Sequence, residues 1–118
     1  MRVLGVDDSA DIRFMLRFLL EDAHMEVREA RSGKEAIELL SGQHDIDAVV
    51  LDQRMPDLTG LEVAAQLRGD CPPVILFSAY LHPSLQAEAD RTGVITVNKN
   101  DLNHLVEVLR AQSHCCNA

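Results

Sequence analysis

Three aspartates, a serine and a lysine stand at or just beyond the ends of short apolar runs. Asp7-Asp8 follow Val3-Leu4-Gly5-Val6, Asp52 follows Ala48-Val49-Val50-Leu51, and Ser78 follows Val74-Ile75-Leu76-Phe77. Lys99 lies two positions past Val94-Ile95-Thr96-Val97. Carboxylates gathered in one crevice repel: two charges about 5 Å apart at an effective dielectric of about 20 cost about 3 kcal/mol. That exceeds about 2 pK units per pair, and a bound divalent cation removes it. A donor set made only of oxygens, with room left for water and a phosphate, suits Mg²⁺, with Mn²⁺ accepted, rather than zinc. A carboxylate beside such a cation can also attack a phosphoryl group and become an aspartyl phosphate. Transfer then depends on charge neutralisation and in-line positioning more than on further covalent chemistry. In this reading Asp52 attacks, Asp7 and Asp8 hold the metal, and Ser78 and Lys99 engage phosphoryl oxygens. The chain has only two lysines, Lys34 and Lys99, and one of them falls at the expected crevice.

Residues this far apart meet only if the fold brings the ends of those runs together. Continuous apolar runs suit strands covered on both faces. Glu26-Val27-Arg28-Glu29-Ala30 and Val94-Ile95-Thr96-Val97 are weaker strand candidates that bring the set to five. Between the first two strands, Ile12, Met15, Leu16, Leu19, Leu20 and Ala23 recur with helical period and form a stripe broad enough to pack on a sheet. Phe14, Met15 and Phe18 are read as core or helix-face packing. Ser32-x-x-Glu35 and Thr59-x-x-Glu62 have capping-box spacing, with Gly42 and Gly69 as the following stops. Leu102, Leu105, Val106 and Leu109 make the last stripe, and Pro83 to Arg91 is the helix with fewest apolar anchors. Strands alternating with helices imply right-handed crossovers and a parallel sheet between two helix layers. Ligands of such a sheet bind beyond the carboxyl ends of its strands, where the strand order reverses. All five residues named first stand there.

Composition agrees with one self-sufficient domain. With 118 residues, 47% of them apolar, the chain should bury about 65% of its unfolded surface without staples. The net charge of −8 repels phosphate backbones and anionic lipid, which argues against direct binding to nucleic acid or a membrane surface. Cys71, Cys115 and Cys116 are odd in number and include an adjacent pair, which fits neither a disulfide framework nor a spaced metal site. The five histidines show no metal spacing. The opening Met1 to Val6 is too short for a signal-peptide core, and no apolar run approaches the about 20 residues of a membrane span. The expected setting is the cytoplasm.

The order Asp7-Asp8-Ser9, then Leu51-Asp52-Gln53-Arg54-Met55-Pro56-Asp57-Leu58-Thr59-Gly60, then Phe77-Ser78-Ala79, then Asn98-Lys99 resembles the receiver domain of two-component response regulators. The similarity runs from Val3 to about Arg110. It implies a flavodoxin-like (βα)5 domain with a five-stranded parallel sheet of order 2-1-3-4-5 and helices on both faces. Residues 1–112 would form the receiver domain and 113–118 a short tail. The resemblance implies that Asp52 accepts a phosphoryl group from a phosphohistidine of a sensor histidine kinase or histidine phosphotransfer protein. Asp8 and Asp52 would ligate Mg²⁺ directly and Asp7 through water, with the backbone carbonyl of Arg54 supplying another oxygen. Ser78 would close onto the phosphoryl group, carrying its loop and altering binding to an effector domain or downstream protein. Kinase docking would use the face around the first helix, near Met55 and Leu102, and a homodimer would use the fourth and fifth helices. The domain would be a signalling switch that assists its own phosphorylation rather than an enzyme.

Two departures from the family's pattern stand out. Thr96 occupies the place of an aromatic residue that swings inward on activation, and Tyr80, two positions after Ser78, is the residue that would take up part of that role. Asn100 follows Lys99 in place of a cis proline, and because a cis non-proline bond costs about 3 kcal/mol, a trans bond or a reshaped loop is expected there. Arg54 and Tyr80 occupy positions that border the path of hydrolytic water in this family, so their bulk implies a long-lived phosphorylated state. Three other readings compete. An aspartate-nucleophile phosphohydrolase would need an Asp-x-Asp motif and a cap. A flavodoxin-type nucleotide binder would need donors, not carboxylates, after the first strand. A receiver-like interaction module independent of phosphate is favoured only by the two departures. Taken singly, Asp7-Asp8 also reads as favourable charge at a helix N-terminus, Asp52 as a turn residue, Ser78 as a cap and Lys99 as a solvated cation. Only their joint order separates the readings.

Overall fold

In the computed structural model, which describes residues 1–42, 44–67, 72–79 and 81–115 with side chains as far as 112, the apolar runs pair into one parallel sheet. Its strands are β1 (Arg2–Val6), β2 (Glu26–Ala30), β3 (Ala48–Leu51), β4 (Val74–Ser78) and β5 (Ile95–Asn98). The helices α1 (Ala10–Asp22), α2 (Gly33–Ser41), α3 (Gly60–Gln66), α4 (Pro83–Thr92) and α5 (Leu102–Cys115) alternate with them. The order is β2-β1-β3-β4-β5, so the chain reverses direction across the sheet between β1 and β3. Registers such as Val6 with Ala30 and with Leu51, and Ser78 with Asn98, align the carboxyl ends at one rim.

Each apolar run serves both faces because side chains alternate along a strand. Leu4, Val6, Val49, Leu51 and Leu76 meet Ala36 and Leu40 of α2, Leu61 and Val63 of α3 and Leu85 and Ala89 of α4. Val3, Val50, Ile75, Phe77 and Val97 meet Leu16 and Leu20 of α1 and Leu105 and Leu109 of α5. Phe14 and Phe18 correct the packing expectation: they are 71% and 72% exposed. With Leu16 and Leu20 turned to the sheet, the 100° step of a helix sends positions 14 and 18 to the opposite side.

Local chemistry sets the helix ends. Ser9 caps α1, and at α3 both bonds of the Thr59–Glu62 capping box form. The Ser32 hydroxyl accepts from the Glu35 amide at α2, which ends before Gly42 as expected. The sparsely anchored segment from Pro83 is a helix because Pro83 starts it and Gly93, at φ 77°, closes it. Gly69, the expected stop of α3, lies outside the described residues. The expected boundary at 112 falls inside α5, which continues to Cys115 because no Gly or Pro interrupts it.

At the end of α1 the Met25 amide bonds the Leu20 carbonyl and the His24 amide bonds that of Glu21, the same double closure that Gly93 makes at α4. His24 adopts φ 66° there, a left-handed conformation that costs an L-residue about 1 kcal/mol. His24→Gly should therefore raise the unfolding free energy by up to about 0.5 kcal/mol in urea melts, after allowing for the entropy glycine adds to the unfolded chain.

Candidate functional site

The rim where β1, β3, β4 and β5 end carries the acidic cluster. β1 and β3 are hydrogen-bonded neighbours, so Asp7 and Asp52 leave the sheet side by side, with the Asp52 amide bonding the Val6 carbonyl at 2.9 Å. Carboxylate oxygens of Asp7, Asp8 and Asp52 lie within 4.8 Å of one another. Asp7 and Asp52 are buried, at 2% and 8% exposure, whereas Asp8 faces solvent. This is an oxygen-only donor set, open on one side and crowded with like charge, and it fits a hard divalent cation such as Mg²⁺.

Lys99 reaches the cluster from the end of β5. Its Nζ lies 3.0 Å from Asp52 Oδ1 and 3.1 Å from Asp7 Oδ2. The missing proline does not displace it: the Lys99–Asn100 bond is trans. Asn98 shapes the turn instead, its side-chain oxygen accepting from the Asn100 amide and its carbonyl from that of Asp101. The Lys99 amide bonds the Ser78 carbonyl at 2.9 Å, which fixes the ends of β4 and β5 together. Asp52, Arg54, Ser78, Ala79 and Lys99 line a cleft of about 200 Å³. The cleft therefore presents a buried carboxylate, a hydroxyl-bearing residue and an ammonium to one small volume, which is what in-line transfer of a phosphoryl group requires.

Burial pushes the Asp7 carboxyl above the ordinary Asp range, and the Asp52 charge adds to the rise against the Ser9 amide and the Lys99 ammonium. Burial alone would lower the Lys99 ammonium, but the bonds and charges of Asp52 and Asp7 outweigh it and raise the pKa. An Asp raised above 3.8 takes up its proton earlier in the folded than in the unfolded state. Its contribution to stability therefore falls as pH rises from 3.8 through the raised value and stays low above it. Asp7→Asn should accordingly raise metal-free stability near neutral pH and flatten its fall across that window, while the stabilisation gained on adding Mg²⁺ shrinks. Thermal melts from pH 4 to 7 with chelator or Mg²⁺ measure both.

Asp7, Asp8 and Asp52 thus form one cluster, and Asp52, Arg54, Ser78 and Lys99 line the cleft beside it. Thr96 does not join them: its hydroxyl donates to Gln86 Oε1 of α4 at 2.9 Å. Tyr80 lies outside the described residues. Three supporting side chains carried no signal in the sequence. Arg13 donates to the Asp7 carbonyl at 2.7 Å and also bonds Glu29 of β2. Gln53 Oε1 accepts from the Leu61 amide at 3.1 Å. Asp57 accepts from the first amides of α2.

The comparisons with known proteins agree with this geometry. The response regulator MprA of Mycolicibacterium vanbaalenii is 43% identical over 67% of this chain and 35% of its own length, so the chain spans about a third of the curated relatives it matches first. An uncharacterised 14.6 kDa protein of Leptolyngbya boryana is 32% identical over 98% of this chain and 90% of its own. Among solved structures, the response regulator TrrA of Thermotoga maritima in complex with Mg²⁺ and BeF superposes with a TM-score of 0.81 at 32% identity, covering 94% of this chain and 97% of that one. The receiver domain of the Francisella response regulator 1452 gives 0.85 at 26% identity, covering 94% of each. No helix among the described residues is long and apolar enough to cross a membrane. The family description "Response regulator receiver domain" matches residues 3–110, and with the flavodoxin-like fold and the acidic rim in place, the chain belongs to the response regulator receiver domains of two-component systems.

Proposed function

We propose that this receiver domain is a phosphoryl-accepting switch whose acceptor is Asp52. The observation that carries the reading is a buried Asp52 carboxylate at the floor of the cleft, paired with Lys99 at 3.0 Å and flanked by Asp7 and Asp8. A carboxylate oxygen of Asp52 forms a bond to phosphorus as the bond to the imidazole nitrogen of a partner phosphohistidine breaks. The imidazole leaves with the electron pair, and Asp52 becomes an acyl phosphate. Lys99 and Ser78 hold phosphoryl oxygens. Mg²⁺, or Mn²⁺ in its place, would be held by Asp7, Asp8, Asp52 and the Arg54 carbonyl, and when bound it neutralises charge on the phosphoryl group.

The donor is a sensor histidine kinase or a histidine phosphotransfer protein, and the setting is the cytoplasm. Phe14 and Phe18, bare on α1 and bracketed by Asp11, Glu21 and Asp22, supply an apolar and acidic docking face for it. Phosphorylation draws Ser78 and its loop inward and shifts the face of α4 and β5, which changes binding to an effector domain or downstream protein. The receiver unit of this reading makes no direct contact to nucleic acid or membrane. The Thr96–Gln86 bond favours a second reading, an interaction module that no longer depends on phosphate, because it replaces a swinging aromatic ring with a fixed tie to α4.

Incubation with phosphoramidate and Mg²⁺, followed by intact mass, separates the two. The switch gives one phosphoryl adduct that needs the divalent cation and is lost to hydroxylamine, as an acyl phosphate must be. No adduct, or one that forms equally in chelator, overturns the acceptor assignment.

A further inference from the structure

In the loop from Gln53 to Thr59, Met55 and Leu58 are half-buried and pack against the core, while Arg54, Pro56 and Asp57 are exposed. Polar bonds also hold it near each end. At its start the Gln53 carbonyl accepts from the Gly60 amide at 3.0 Å and its side chain from the Leu61 amide at 3.1 Å, which closes the loop on α3. Further on, Asp57 Oδ1 accepts from the Gly33 amide at 3.2 Å and Oδ2 from the Lys34 amide at 2.8 Å. Those are the first two residues of α2, a helix that is otherwise remote from Asp52 in the chain. The α2 end of the contact is closely packed. A side chain on Gly33 would come within 2.7 Å of Val63 and 3.0 Å of Leu58, so the start of α2 is packed directly on this loop and on α3. A carboxylate facing two helix-terminal amides makes charge-assisted bonds. The Lys34 amide, followed by that of Gly33, holds the Asp57 carboxyl below the ordinary Asp range.

Arg54 stands between these two anchors, next to Gln53 and three residues before Asp57. We infer that Asp57 is a positioning residue for the phosphoryl-accepting site: through its bonds to the amino end of α2 it holds the Arg54 carbonyl beside Asp52, and so couples cation binding to the order of α2. This inference rests on the cation-assisted reading above. Groups that orient a metal ligand typically contribute about 10- to 100-fold to affinity, and a backbone carbonyl held through the two intervening residues Met55 and Pro56 belongs at the lower end. Coupling is reciprocal, so a cation that orders the loop also tightens the bonds Asp57 makes to α2.

The test uses the whole chain, Mg²⁺ alone, and the variants Asp57→Ala and Asp57→Asn. Mg²⁺ affinity is read by calorimetric titration, and backbone amide exchange is read by NMR with and without the ion. Asp57→Ala should weaken Mg²⁺ binding about tenfold. Asp57→Asn, which keeps an acceptor oxygen but not the charge, should recover part of that loss. In the wild type the Gly33 and Lys34 amides should exchange more slowly once Mg²⁺ is bound, a response that Asp57→Ala abolishes while Leu105 and Leu109 of α5 keep their protection. A purely structural cap would slow those two amides equally with and without the ion. Wild-type Mg²⁺ affinity in Asp57→Ala, or Gly33 and Lys34 amides indifferent to Mg²⁺ in the wild type, overturns this inference and leaves the acceptor assignment standing. A wild type that binds no Mg²⁺ overturns both.

Discussion

Asp52→Asn should leave the protein folded and lower phosphoryl-adduct formation by about a thousandfold or more, to the background of the reagent. The substitution changes almost no volume, so the contacts of β3 are kept, but it replaces an anionic oxygen nucleophile with a neutral amide. It also removes one of the two carboxylates paired with Lys99, at 3.0 Å, and leaves the other, Asp7, at 3.1 Å. The remaining pair keeps the ammonium in the cleft, so loss of the adduct reads the nucleophile and not a collapsed site. Asp7 and Asp8 lie within 4.8 Å of Asp52, and any slow residual adduct on them is separated by peptide mapping. An adduct forming at the wild-type rate in Asp52→Asn would sink the assignment.

Gly60→Ala should strike both the fold and the site. A Cβ at this position would fall 2.5 Å from the Leu76 side chain and 2.6 Å from the carbonyl oxygen of Asp52. The leucine methyl can rotate away, but the carbonyl belongs to Asp52 itself and cannot yield without moving that residue. Overpacking of this kind costs about 2–3 kcal/mol. Displacement of a reacting group by about 1 Å can cost about a hundredfold in rate, so slower phosphorylation of about 10- to 100-fold is expected at saturating Mg²⁺. Urea melts and adduct kinetics measure the two effects on one sample. Gly42 provides the control, because nothing lies within 4 Å of a Cβ added there. Comparable losses in Gly42→Ala would show that the effect comes from glycine replacement in general and not from the approach to Asp52.

The strands, the helices and the acidic rim were all legible from local pattern. An apolar run buried on both faces, a stripe with helical period or a capping residue is encoded within a few neighbouring positions, and the backbone periods of two and 3.6 turn it directly into structure. The chemistry was legible for a related reason: a parallel sheet delivers whatever follows its strands to one rim, so the residues after each apolar run had to meet. The strand order came from the family resemblance and not from periodicity, because no local signal says which strand lies beside which.

Tertiary structure decided the rest. Asp57 reads as one more turn residue until α2, more than twenty positions earlier, places its amides against it. Arg13 looks like a solvated helix charge until the turn of α1 brings it under the Asp7 carbonyl. Thr96 sits on the strand expected, but the packing of α4 on β5 gives its hydroxyl a partner in Gln86 and turns it from the cleft. Lys99 reaches both Asp7 and Asp52 without the family's proline, from a turn held by the Asn98 side chain. Sequence by itself therefore determined the elements and the type of chemistry at their ends, since both follow from neighbours along the chain. Which groups support that chemistry depends on contacts between distant segments, and those exist only once the sheet has set the register of everything packed on it.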